Sequence, residues 1–376
     1  MAPSDPSSPG DSVAISSAGN SVAGSAREMR GDRETFGRNE LAIILSHYDV
    51  GVVNKIQEFP RGSRKAPKLV LRTDSGIYLL KRRARGKDDA YKVAFCHSIQ
   101  LHLAAKQFPM PHLIGTRREN NSMLQWDGAI YELFEYIKGT GYDQSLEATQ
   151  DAGKTLGLFH KLLADFASDY EAPKGSYHNA RLARTSLEQI PHSLANTDPK
   201  AMENPEHANR IVQFLTESYE QAAQEADKLG LADWPAQIVH SDWHPGNMLF
   251  RGNRVVAVID YDAARYLPRV IDTANGALQF SMTGGSDDVS GWPDYLDVSR
   301  FKRFVLGYDR VNQLTRAELA AIPYLMIEAL ITESAIPIAA TGSFARMQGL
   351  GFLEMIQRKI KWLQDNTHTL ANVLEQ

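Results

Sequence analysis

Cysteine is nearly absent from this sequence. Among 376 residues only Cys96 carries a thiol. No internal disulfide can therefore form, and a Cys-rich zinc framework is excluded. Such usage fits a reducing compartment, and the cytoplasm is the expected location. Long apolar runs are also missing: no uninterrupted one approaches the roughly 20 residues that a membrane helix needs, so no membrane partner is expected. The chain has neither the glycine repeat of collagen nor the composition of a coiled coil or a wholly disordered protein. With 43% hydrophobic residues and a formal charge of −4, what is present suffices for a sizeable core. At roughly 150 residues per domain the length suggests two or three units.

The first stretch adds little to that core. Residues 1–38 are built largely from Ser, Gly, Ala, Pro and Asp. They show neither a two-residue nor a 3.6-residue apolar period, which reads as a disordered tail. Helical spacing begins with Leu41, Ile44 and Leu45. A short β-like run at Val52–Ile56 and a polar loop follow. Lys68–Arg72 and Ile77–Lys81 then flank Asp74-Ser75-Gly76 as a hairpin. A helix over Ala90–Lys106, with Val93, His97, Leu101 and Ala104 on one face, precedes β-like runs at Ser122–Gln125 and Ala129–Phe134. Beyond Gly141 the pattern is mostly helical. Helices are expected at Ala152–Phe166, at Glu206–Leu229 with Gly230 as its cap, after the capping box Thr315 and Glu318, and at Phe352–Gln364. The expected division is 39–135 as an N-terminal lobe, 136–142 as a linker and 143–370 as a helical lobe.

The richest chemistry lies in a β island at Gln237–Asp260. It reads His240-Ser241-Asp242-Trp243-His244-Pro245-Gly246-Asn247, then a hairpin turning at Gly252-Asn253, then Ile259-Asp260. The hairpin register would bring Asn247 and Asp260 side by side, with Asp242 five residues upstream of Asn247 on a loop. One amide and one carboxylate suit magnesium, which takes oxygen ligands and shares its sphere with phosphates. Asp242 would then orient an acceptor hydroxyl and take its proton. Protein kinases divide labour in this way between the Asp and Asn of the catalytic loop and a later metal-binding Asp.

The segment from His240 to Asn247, with Asp260 thirteen residues later, resembles the aminoglycoside phosphotransferase and choline kinase superfamily. Arg269-Val270-Ile271-Asp272 and Leu156-Gly157-Leu158-Phe159-His160 are similar to further segments of that family, and the resemblance spans about residues 48–365. It implies an α+β, protein-kinase-like, two-lobed fold, with a small β-rich N-lobe and a larger, mostly helical C-lobe. It also implies ATP and Mg2+ as cofactors and a small-molecule hydroxyl as acceptor. On this reading Asp242 is catalytic, Asn247 and Asp260 bind the metal, and Lys81 contacts the α- and β-phosphates. Backbone groups of the hinge, Glu132 to Ile137 with Glu135 and Ile137 among them, would meet the adenine, and the loop Gln57–Pro67 would arch over the phosphates. The sequence departs from the pattern at one point. The helix after Lys81 should offer a Glu to pair with it, yet no acid lies between Asp89 and Glu119, and His97 or Gln100 takes the place. That departure motivates a second reading, a catalytically weak nucleotide-binding or regulatory protein on the same fold.

The remaining polar residues read as support. His240 is expected to brace the catalytic loop, Asp272 to accept structural hydrogen bonds, and Trp243 and Trp126 to pack. Asp262 is open between assistance to the metal or the substrate and a solvated loop acid. The basic run Lys81–Lys87 reads as a solvated face that also offers Lys81, with no nucleic-acid partner. Glu328 and Glu333 interrupt an apolar stretch; five residues apart, they do not share a helix face. Residues 61–92 hold 11 basic and 3 acidic residues, whereas the remainder carries a net −12. Oligomeric state is not encoded legibly.

Overall fold

A computed structural model describes residues 33–285 and 288–373. After a short helix, α1 (Arg38–Ser46), the chain builds a five-stranded antiparallel sheet from β1 (Val53–Glu58), β2 (Lys68–Thr73), β3 (Ile77–Arg82), β4 (Leu124–Trp126) and β5 (Ala129–Glu135). The strand order is β1-β2-β3-β5-β4. The β2–β3 turn closes because Thr73 N–H donates to the Gly76 carbonyl (2.9 Å). Residues 1–32, read as tail, lie outside the described residues. Residues 33–38 were read with that tail, but they pack on the sheet. Glu34 pairs with Arg82 at 2.9 Å, and Arg33 Nη2 donates to the Pro60 carbonyl at 2.7 Å. The apolar side of this lobe holds Ile44, Leu69, Leu71, Leu80, Tyr131 and Leu133, all buried.

Helix α2 (Ala90–Ala105) starts where the Asp89 carboxylate accepts from the backbone N–H groups of Tyr91 and Lys92, satisfying two of the donors a helix leaves open. Of the expected face, Val93 and His97 are buried and Leu101 and Ala104 are not fully so. Leu101 is exposed, whereas Phe95, Ile99 and Leu103 join the large core of the second lobe. The helix lies between two packed surfaces, so single-face periodicity fails as a guide.

The second lobe comprises α3 (Leu146–Leu162), α4 (Arg181–Thr197), α5 (Pro199–Glu203) and α6 (Pro205–Lys228), then strands β6 (Ala236–Val239), β7 (Met248–Arg251), β8 (Arg254–Val258) and β9 (Arg265–Pro268). Helices α7 (Arg269–Ser281), α8 (Val298–Asp309) and α9 (Arg316–Thr341), a two-residue pair β10 (Ser343–Phe344) and β11 (Met347–Gln348), and α10 (Gly349–Ala371) complete it. The expected β island is two separate ribbons: β7 pairs β8, and β6 pairs β9. Gly230, at φ +92°, follows α6 in the left-handed conformation that glycine adopts without strain. Thr315 and Glu318 form the capping box of α9. By length and composition α9 is the one helix among the described residues that could cross a membrane, and 72% of its apolar window is buried inside the protein. The fold is α+β and protein-kinase-like, as the resemblance implied.

Candidate active site

The loop between β6 and β7 is held by side chains beneath it. Asp272, in the first turn of α7, accepts from the backbone N–H groups of His240 (2.8 Å) and Ser241 (3.0 Å). His160 of α3 lies 3.2 Å from the same carboxylate and bonds Tyr308 Oη through its other nitrogen. His240 is fully buried and donates through Nε2 to the Ile259 carbonyl, which ties this loop to the end of β8. Its ring packs against Trp243 and Tyr261. The bracing role of His240, the accepting role of Asp272 and the burial of Trp243 all follow from these contacts. Ser241 takes φ +60°, an uncommon conformation for a residue with a Cβ, tolerated where surrounding bonds over-determine the backbone.

Asp242 projects from this rigid loop. Asn247 Nδ2 donates both to Asp242 Oδ2 (2.8 Å) and to the Asp242 carbonyl (3.0 Å). These bonds fix the amide, so Asn247 Oδ1 is the face left for another ligand. Burial pushes the Asp242 carboxyl up, but the hydrogen bond and charge of His244, the His240 ring and the Asn247 amide outweigh it and hold it below the usual range. The ribbon β7–β8 aligns Met248 with Val258, and Ile259 N–H donates to the Asn247 carbonyl at 3.0 Å. Asp260 therefore follows directly beside Asn247, exposed and at φ +66°. Both would present oxygen, the donor type a hard divalent cation takes, and together they offer too few protein groups to hold it without phosphate oxygens. Among the described residues no group of three or more His, Cys, Asp or Glu side chains could hold a metal alone.

Across the cleft, the acid missing from α2 comes from the sheet. Lys81 and Glu132 are cross-strand partners on β3 and β5, and Lys81 Nζ lies 3.4 Å from Glu132 Oε2. Glu132 is completely buried. Its other oxygen receives Arg83 Nη2 at 2.8 Å and His97 Nε2 at 2.7 Å. Although burial opposes it, the charges of Lys81 and Arg83 and the His97 bond hold the Glu132 carboxyl well below the carboxylate range. His97 thus occupies the expected helix position and reaches the lysine through Glu132. Arg83 also grips Asp262 with two bonds of 3.0 and 3.1 Å, so Asp262 is not a solvated loop acid. Lys68 points into the same space. Burial lowers its ammonium, as does repulsion from Lys81, while Asp260 and Asp262 oppose the shift. A Cβ at Gly62 would strike Lys68 Nζ, so the loop above the cleft closes down on this lysine. Sequence reasoning placed Glu132 in the hinge and Arg83 on a solvated face, and gave Lys68 no role beyond its strand; all three lie at the cleft. Only the two-residue alternation of β5, which puts an acid on its inward face, signalled the first.

The hinge leaves β5 at Glu135, whose N–H donates to the His112 carbonyl, and Tyr136 N–H donates to the Ile77 carbonyl. Ile137 N–H has no partner among the described residues. The linker then docks on the hairpin through a reciprocal pair of backbone bonds between Thr140 and Phe250.

Comparison with known proteins decides the family. The model of the phosphotransferase enzyme family matches residues 55–322. The chain belongs to that family. A homoserine kinase of Methylocella silvestris is 24% identical over 291 residues, covering 76% of this chain and 80% of its own. One of Zymomonas mobilis is 25% identical over 289 residues, covering 76% and 82%. Among solved structures, an aminoglycoside phosphotransferase from Alicyclobacillus acidocaldarius superposes with a TM-score of 0.66 at 16% identity, over 92% of this chain and 99% of that one. A microcompartment-associated aminopropanol kinase gives 0.57 at 13% identity, over 89% and 98%. The protein is an ATP-dependent phosphotransferase that acts on a small molecule.

Helices α7 and α9 also carry polar side chains toward Asp242. Of the two acids on α9, Glu328 is fully buried and consumed: it accepts from the His178 ring (2.8 Å) and from Asn179 N–H (2.9 Å). Glu333 is different. It is partly exposed, receives Gln279 Nε2 at 2.7 Å, and keeps Oε1 without a hydrogen-bond partner among the described residues. Gln279 stands seven residues after Asp272, on the same face of α7 as the group that holds the catalytic loop. Burial first, and then the charge of Asp242, raise the Glu333 carboxyl to about 7.

Proposed function

We propose that this enzyme transfers the γ-phosphoryl group of MgATP to the hydroxyl of a small acceptor that also carries an amino group. Asp242 orients the hydroxyl and receives its proton as the oxygen–phosphorus bond forms and the bond to the β-phosphate oxygen breaks, releasing ADP. Asn247 Oδ1 and the Asp260 carboxylate would hold Mg2+ together with phosphate oxygens, and the ion would supply charge neutralisation along the transferring group. Lys81 steadies the α- and β-phosphates, and the backbone of Glu135 and Ile137 meets the adenine edge. The rest is positioning: two reacting groups held in one geometry on a braced loop.

The observation that carries this reading is the Asp242–Asn247 pair. Its double hydrogen bond gives the carboxylate and the amide oxygen separate duties on one loop. The amino group is supported by the open carboxylate of Glu333 and by relatives named for homoserine and aminopropanol, which both join an amine to a hydroxyl. The reading as a catalytically weak protein loses its motive, because Glu132 supplies the partner that α2 lacks. The test is Asp242→Asn, assayed with a panel of amino alcohols and hydroxy amino acids. Turnover should fall at least about 100-fold, while nucleotide affinity and thermal midpoint stay near wild type. Wild-type turnover in that variant would overturn the role.

A further inference from the structure

A cavity of about 740 Å³ lies apart from the catalytic loop, walled by the end of α1, by α2, by the segment 116–125, and by Tyr170 from the helical lobe. That volume is in the range of small-molecule sites, roughly 300–1,000 Å³. Two arginines and one acid line it. Arg117 spends one nitrogen on the Ser46 carbonyl (3.0 Å), and Arg118 makes no hydrogen bond or ion pair among the described residues. The one acid in the wall, Glu119, is engaged by Asn121 Nδ2 at 2.8 Å. Leu101 and Met123 add apolar surface.

The cavity wall is wired to the cleft. Ser122 Oγ, in that wall, lies 2.8 Å from His97 Nδ1, and His97 Nε2 lies 2.7 Å from Glu132 Oε1. The other oxygen of Glu132 faces Lys81. Two hydrogen bonds and one ion pair therefore connect the cavity to the lysine assigned to the phosphates. We propose that the cavity binds a small organic anion, a carboxylate or phosphate ester on a short apolar body, and that its occupancy changes nucleotide binding through Ser122, His97 and Glu132. The coupling half rests on the phosphate-binding role of Lys81; the binding half does not.

The test uses isovalerate as the organic anion and sulfate as the bare one, titrated calorimetrically into the full-length protein saturated with MgADP, so that the phosphate subsite is filled. Isovalerate should bind more tightly than sulfate, and the double substitution Arg117→Ser/Arg118→Ser should abolish both. In wild type, isovalerate should change the KM for ATP by at least about twofold. By reciprocity, isovalerate should change MgADP affinity, measured by calorimetry, by the same factor by which MgADP changes isovalerate affinity. Ser122→Ala should keep isovalerate binding and lose the effect on KM. No binding, or binding indifferent to the arginine pair, would overturn the site. Binding without any change in KM, or a change that survives in Ser122→Ala, would overturn the coupling. An unchanged KM for ATP in Lys81→Met would instead overturn the Lys81 assignment and leave the anion site standing.

Discussion

Glu132 is a buried carboxylate that answers three cationic or proton-donating side chains, Lys81, Arg83 and His97. Removing its charge while keeping its shape leaves Lys81 without its ion-pair partner and Arg83 with Asp262 alone. Breaking a buried pair in this way costs about 3–5 kcal/mol. Glu132→Gln should therefore lower the thermal midpoint and raise the KM for ATP more than the KM for the acceptor; equal effects on both would deny it a positioning role. The folded carboxyl lies below its ordinary 4.5. The stability it confers is thus present above that pH and lost as pH falls through the depressed value, and the acid limb of a midpoint-against-pH curve should flatten in the variant. Glu333 has the opposite sign. Its carboxyl is raised to about 7, so a cationic acceptor should bind better as pH rises between about 6 and 8, when the group ionises. In Glu333→Gln that dependence should vanish for an amino alcohol, and the alcohol lacking the amine should show no difference between the two proteins.

At the scale of elements, the helices under the catalytic loop meet through glycine. A Cβ at Gly153 of α3 would collide with the Phe304 carbonyl of α8, and one at Gly307 of α8 with the Gln150 carbonyl of α3. Neither obstacle is a flexible side chain, so the helices themselves must separate. Overpacking of this kind costs about 1–3 kcal/mol, sometimes more. The separation would also move His160 of α3 and Tyr308 of α8, which stand behind Asp272. Gly153→Ala should lower both the thermal midpoint and kcat, whereas Gly252→Ala, where added bulk meets open space, should mainly reflect its positive φ. An unchanged kcat in Gly153→Ala would show that the catalytic loop does not depend on this helix contact. Phe301, Phe304, Val305 and Tyr308 recur at helical spacing and mark a buried face of α8, but its partner α3 was not legible in advance, because it is remote in sequence.

For the whole molecule, the two lobes are joined by the linker at Thr140, by the Val258 N–H bond to the Pro109 carbonyl, by the face of α2 packed into the second lobe's core, by Lys106 on the Leu162 carbonyl (2.8 Å), and by Arg83 on Asp262. Arg83 is the ion-paired strut nearest the cleft among these. Small-angle scattering should give a larger radius of gyration for Arg83→Met than for wild type without nucleotide, and matching radii with MgADP bound. Equal radii in both states would dismiss the strut. The excess of basic residues at 61–92 resolves at this scale: Lys68 and Lys81 face the carboxylates of Asp260 and Asp262 across the cleft, and Arg83 is spent on the lobe contact.

The hairpin, the capped helices and the spacing from Asp242 to Asn247 and Asp260 could be read from the sequence by itself, because turns, caps and short loops are set by residues close in the chain. The sheet hairpin at Asp74-Ser75-Gly76, the capping box at Thr315 and the cap at Gly230 are local in this sense. Only the tertiary structure decided which acid answers Lys81. Glu132 lies 51 positions away and becomes its neighbour through strand order, with β5 beside β3. Likewise, the two acids of α9 look alike as interruptions of an apolar run. One is buried against His178 and the other opens toward the cleft, because the helices packed around α9 differ on its two sides. Local chemistry is written in neighbours along the chain, whereas burial and charge pairing arise from neighbours across it.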